Sequence, residues 1–137
     1  MYEAWQEPNV DPIFASFLRR QQEEGEALAR TSDLLELLPV DGPPARRYRV
    51  RFHCTGLVRP PGGEPREVSG FEVGIWFPAD YLRRADPFQV LTWLAPRHVF
   101  HPNIAAQAPF LCVGRLLPGT PLVDLLYRCF EIITFTR

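Results

Sequence analysis

The sequence predicts an α+β domain: an N-terminal helix, an antiparallel meander of four strands and a C-terminal helix. Two periodicities carry this prediction. Apolar residues recur at helical spacing towards both ends, as Ile13, Phe14, Phe17 and Leu18 and again as Leu122, Leu125, Leu126, Cys129, Ile132 and Ile133. Between them the period drops to two, in Tyr48, Val50, Phe52 and Cys54 and in Phe71, Val73, Ile75 and Phe77. Turn-forming clusters join the strands in sequence, which implies the meander.

The first helix is expected from about Asp11 to Arg30, with Asp11 as N-cap and Pro12 at the first helical position. Leu28 continues its apolar face, and the stretch QQEEGE between them reads as polar. Leu34 to Val40 reads as a strand ended by Asp41-Gly42-Pro43-Pro44. In the next strand Arg47, Arg49, Arg51 and His53 alternate with the apolar set, so one face is basic and the other goes to the core. Arg59-Pro60-Pro61-Gly62-Gly63 is a turn. The third strand sets Glu72, Gly74 and Trp76 opposite its apolar residues, and Gln89 to Leu94 makes a fourth. Thr120-Pro121 has the form of a cap and first turn for the last helix. Cys129 lies in that helix's apolar stripe and Cys54 on the core side of its strand, which marks both as structural thiols.

Composition narrows the function. The 137 residues fit one domain, 1–137, with no repeat or linker. No apolar run approaches the ~20 residues a membrane span needs. The first residues, MYEAWQEPNVDP, carry no secretory pattern, so a cytoplasmic location is expected. A net charge of −1 argues against nucleic acid as the main partner. Three cysteines at irregular spacing make no disulfide framework. All fifteen basic residues are Arg, and Lys does not occur. A GC-rich genome accounts for that, since Ala, Pro and Gly are also plentiful.

The chemistry concentrates in HPNIAAQAPFLC, residues 101–112. Cys112 stands between a loop and a helix, outside any apolar pattern, a position that suits a partly exposed thiolate nucleophile, although a cysteine there taken alone reads more often as structural. Arg115 follows three residues on and would favour the thiolate. Asn103 offers a side-chain amide to a developing oxyanion, or holds the turn. His101 reads as a structural residue of the turn and not as a general base. His98, His101 and Cys112 match no common zinc signature, so no metal is assigned.

In order and spacing, Phe71, Phe77, Pro78, Tyr81, Pro87, His101, Pro102, Asn103 and Cys112, followed by LVDLLYRCFEII, resemble the ubiquitin-conjugating enzyme family from about Phe71 to Phe135, and more weakly back to Asp11. The resemblance implies the ubiquitin-conjugating fold and a ubiquitin-like protein carried as a thioester on Cys112, then passed to an amine. It makes Cys112, Asn103 and His101 the catalytic-site residues and implies no cofactor. It implies an activating enzyme that docks on the first helix, with Arg19 and Arg20 as candidate contacts beside the plainer reading of a solvated face. It implies that the outer sheet face, with Arg47, Arg49, Arg51, Glu72 and Trp76, binds a ubiquitin-like protein, where cross-strand charge pairing is the plainer reading. In bacteria such proteins are encoded beside these partners and a metal-dependent deconjugating protease, and several such systems act against phage. The chain departs from the family pattern in its segment 101–112. Cys112 lies eleven residues after His101, one more than usual, and Ala108-Pro109-Phe110 stands where a Gly is expected. Asp86 and Asp124 are weak candidates for an acidic group near the amine, and each reads more readily as a helix-start or loop carboxylate. Two readings stay open: a conjugating enzyme, or a non-catalytic variant that binds a ubiquitin-like protein as an adaptor.

Overall fold

Asp11 caps the first helix. Its carboxylate accepts the Ile13 N–H at 2.8 Å and Pro12 occupies the first turn, so α1 begins where its free N–H groups find a cap (α1, Pro12–Thr31). The computed structural model describes residues 11–59, 62–95 and 115–134. The chain continues through β1 (Leu35–Pro39), β2 (Arg47–Val58) and β3 (Arg66–Trp76). A short helical turn, α2 (Pro87–Val90), leads into β4 (Leu91–Ala95), and α3 (Leu122–Thr134) follows.

The four strands form one sheet in the order β1-β2-β3-β4, each pair antiparallel, as the turn-linked strands predict. At the β1–β2 turn the Asp41 carboxylate accepts the N–H groups of Arg46 and Arg47 at 2.7 and 3.1 Å. The β2–β3 ladder shifts register between Phe52 and Thr55, where His53 and Cys54 face the single residue Gly70. Gly70 takes φ +100°, a conformation open to glycine in such a bulge.

The period-two pattern holds in the core. Tyr48, Val50, Phe52, Phe71, Val73, Ile75 and Phe77 are all buried. Phe14 and Leu18 of α1 and Leu122, Leu125, Leu126, Cys129 and Ile133 of α3 join them in one cluster. Each such side chain contributes roughly 1.5–3 kcal/mol by leaving water. Ile132 and Cys54 are only half-buried at the margin of that core.

The structure corrects the reading in three places. Gln89 and Val90 do not open the fourth strand. The Asp86 carboxylate accepts the Phe88 N–H at 3.0 Å and Pro87 fits a first helical turn, so capping overrides the strand pattern until Leu91. QQEEGE is not a solvated stretch throughout, because Gln21 and Gly25 are buried on the inner side of α1. Thr120 does not cap α3; its hydroxyl donates to the Leu117 carbonyl at 2.6 Å.

Candidate functional site

His101, Asn103 and Cys112 lie outside the described residues, as does His98. The described chain meets that segment at the end of β4 on one side and at Arg115 on the other. The second side is strongly anchored. The Gly119 N–H donates to the Tyr81 carbonyl at 3.2 Å, and the Tyr81 hydroxyl donates to the Thr120 carbonyl at 2.7 Å. Tyr81 is itself fixed by aromatic packing on Phe77 and Phe17, with ring centroids 4.8 and 5.8 Å apart. Its family-like position two residues after Pro78-Ala79 thus has a structural use: it ties the turn after β3 to the stretch that leads into α3.

At the start of α3 the Leu122 N–H donates to Gln21 Oε1 at 2.7 Å, across 101 residues of sequence. The next residue of α1, Gln22, accepts the Ala45 N–H at 2.8 Å. Neighbouring glutamines therefore hold two different parts of the fold. The sequence reading missed Gln21, although a signal existed: Leu18, Gln21, Gly25 and Leu28 recur at intervals of three and four, so Gln21 shares the inward face.

Arg115 is exposed and its carbonyl accepts Arg128 Nη1 at 3.0 Å. Leu117, Pro118, Thr120, Asp124, Tyr127 and Arg128 are among the residues lining an open groove of about 490 Å³ along α3. Asp124 stands in the first turn of α3 and is exposed, where a carboxylate suits the helix N-terminus. Asp86 is engaged as the cap of α2.

The two other thiols have surroundings unsuited to nucleophilic work. Burial pushes the Cys129 thiol up to about 12, and desolvation also raises Cys54.

The outer face of the sheet brings Arg47, Arg49, Arg51 and Trp76 together. Glu72 accepts Arg49 Nη2 at 2.5 Å and Arg51 Nη2 at 2.7 Å. Hydrogen bonds from Arg51 and Arg49 hold the Glu72 carboxyl below the usual carboxylate range. The Arg47 guanidinium lies 5.3 Å from the centre of the Trp76 ring. Trp76 is therefore half-buried beneath Arg47 and not openly exposed. His53 Nε2 pairs with Glu36 on β1. Cross-strand pairing joins Arg49 and Arg51 to Glu72 on this face, and Arg47 lies against Trp76. Arg19 and Arg20 are exposed on α1, a separate element.

The fold is ubiquitin-conjugating-like. The structure of the human ubiquitin-conjugating enzyme E2 G1 superposes with a TM-score of 0.61 at 19% identity, covering 90% of this chain and 96% of that one. No protein-family model and no curated protein matches the sequence. Among the described residues no helix is long and apolar enough to cross a membrane.

Proposed function

We propose that this chain, with its ubiquitin-conjugating-like fold, is a conjugating enzyme that carries a ubiquitin-like protein as a thioester on Cys112. One observation carries the reading. The fold likeness spans 90% of the chain, and His101-Pro102-Asn103 and Cys112 fall in the segment between β4 and α3. The raised thiols of Cys54 and Cys129 favour Cys112 as the nucleophile of the three.

In this reading an activating enzyme supplies the ubiquitin-like protein as a thioester. The Cys112 thiolate attacks the carbonyl carbon, a new C–S bond forms, and the activating enzyme's thiolate leaves. A target amine then attacks the same carbon. The C–N bond forms, the C–S bond to Cys112 breaks, and the amine loses its proton to solvent. Asn103 donates a hydrogen bond to the oxyanion formed in that second step, and His101 shapes the turn that holds Asn103. Arg19 and Arg20 on α1 face the activating enzyme. A bacterial setting belongs to the same proposal, with a metal-dependent deconjugating protease as a further partner, a role against phage and a cytoplasmic location. Gene neighbours and phage challenge of a deletion strain test it.

The direct test is a reconstituted charging reaction with the neighbouring activating enzyme, ubiquitin-like protein and ATP. The expected product is a mass increase on a gel that disappears with reducing agent. It persists in Cys54→Ala and is lost in Cys112→Ala. Charging of Cys112→Ala, or none in the wild type, would sink the assignment.

The eleven-residue spacing from His101 and the missing Gly favour the second reading, an adaptor that binds a ubiquitin-like protein without carrying it. Its surface would be the Arg47, Arg49, Arg51 and Trp76 face. An adaptor would bind the partner equally well as Cys112→Ala, never charge, and lose binding in Trp76→Ala.

A further inference from the structure

We infer that Gln21 is a positioning residue: from α1 it caps α3 and so holds the downstream anchor of the segment that carries Cys112. The inference rests on the reading of Cys112 as the thioester carrier.

A helix leaves its first N–H groups without partners, and a local Ser, Thr, Asp or Asn usually supplies one. Here α3 has no such local cap. Pro121, whose carbonyl accepts the Leu125 N–H at 3.1 Å, stands at the cap position and has no side-chain acceptor. The Thr120 hydroxyl is occupied with the Leu117 carbonyl. The acceptor comes instead from Gln21 Oε1, 2.7 Å from the Leu122 nitrogen. Gln21 is 2% exposed and is the buried polar residue of the described core. A buried amide in an otherwise apolar cluster persists only where it is hydrogen-bonded.

The same contact is set sterically. A Cβ on Gly25, one turn along α1, would lie 2.6 Å from Leu122 Cδ2. Leu122 is thus held twice by one face of α1, its backbone by Gln21 and its side chain by the bare backbone at Gly25. Tyr81 secures Thr120 just upstream. Leu122 lies ten residues after Cys112 in sequence. Loss of the Gln21 acceptor would free the first turn of α3 and leave Tyr81 alone to hold the stretch before it, with the apolar packing of the helix in place.

Gln21→Met keeps side-chain length and removes the acceptor. It is expected to slow charging of Cys112 roughly tenfold in kcat, the scale of one buried hydrogen bond. The KM for the activating enzyme should not change, because Arg19 and Arg20 are untouched. Equal rates in wild type and Gln21→Met would overturn the inference, as would loss of rate through KM alone.

Thiol labelling with iodoacetamide followed by peptide mapping gives a readout independent of any partner. Gln21→Met should change the labelling rate of Cys112 several-fold, with Cys54 and the buried Cys129 unchanged. If all three thiols shift together, the substitution merely loosens the fold and the positioning role is wrong. In the wild type, the Leu122 amide should be protected from hydrogen exchange. Free exchange there would show that the cap does not exist, even if the variant fails to fold. A wild type that never charges would end the conjugation reading instead, and with it the catalytic use of the cap. The amide and thiol measurements would still decide the cap itself.

Discussion

Gly56 of β2 lies directly beneath the carbonyl of Ile133 at the far end of α3: a Cβ there would sit 2.9 Å from that oxygen and 2.9 Å from Phe71 Cζ. The close approach is what lets α3 settle on the sheet. Gly56→Ala is expected to destabilise the chain by about 1–3 kcal/mol, the usual cost of overpacking, although alanine is the better strand residue. Urea unfolding would measure it. An unchanged midpoint would mean that α3 can slide without cost.

Tyr48 and Tyr81 are expected to respond oppositely to loss of the hydroxyl. The Tyr48 hydroxyl is buried with no hydrogen-bond partner among the described residues, while that of Tyr81 holds the Thr120 carbonyl. Tyr48→Phe should be neutral or stabilising, by up to about 1 kcal/mol, and Tyr81→Phe should cost about 1–3 kcal/mol. A large loss in Tyr48→Phe would reveal a partner for its hydroxyl.

Alkaline pH should weaken the fold through the same two rings. Burial raises both phenols above their ordinary value, with the Glu26 and Asp41 charges adding to the effect at Tyr48. The folded chain keeps both protons where the unfolded chain begins to release them, near pH ~10. The unfolded state then binds fewer protons, so stability present below that pH falls as pH rises, by up to about 2.7 kcal/mol per pH unit for the two rings, in addition to the fall that the raised Cys54 and Cys129 thiols begin near pH ~8.5. Unfolding midpoints from pH 8 to 11 would show the slope. It should be smaller in Tyr48→Phe, and a slope unchanged by that substitution would refute the assignment.

Asn103→Ala should leave charging of Cys112 intact and slow transfer to amines by about 10²–10³-fold, the worth of one oxyanion donor. Single-turnover discharge to an added amine separates the steps. Equal loss in both would make Asn103 a residue of the turn and nothing more.

The absence of Lys predicts the fate of charged enzyme left without a target. A nearby amine has a high effective concentration, but none of the 137 residues is a lysine that could form a stable side-chain amide. The adduct should therefore be thiol-labile, with little stable product at any side chain. Peptide mapping after reduction tests this. A stable adduct on Ser or Thr would show that an oxygen nucleophile is used.

The sequence alone determined the elements whose signals are local. Alternation at Tyr48–Phe52 and Phe71–Phe77 specified strands and their inward faces, because side chains on a strand change sides at every residue. Asp11-Pro12 specified the start of α1, because cap and donor are neighbours. At the candidate site, His101, Asn103 and Cys112 were legible as a motif and its spacing. Asp86-Pro87 carried the same kind of local signal as Asp11-Pro12, yet a strand is expected from Gln89 onward, where the cap holds Gln89 and Val90 in a helical turn.

What only the tertiary structure decided is which polar residues serve distant partners. Gln21 reads as surface by type, and its acceptor is meaningful only once α3 arrives from 101 residues away. Gly25 and Gly56 are unremarkable in sequence and become necessary because Leu122 and Ile133 approach their backbones. Glu72 gathers Arg49 and Arg51 because the β2–β3 register sets it beside both. Periodicity records which side of an element faces inward. The residue met on that side depends on long-range packing, which sequence spacing does not encode.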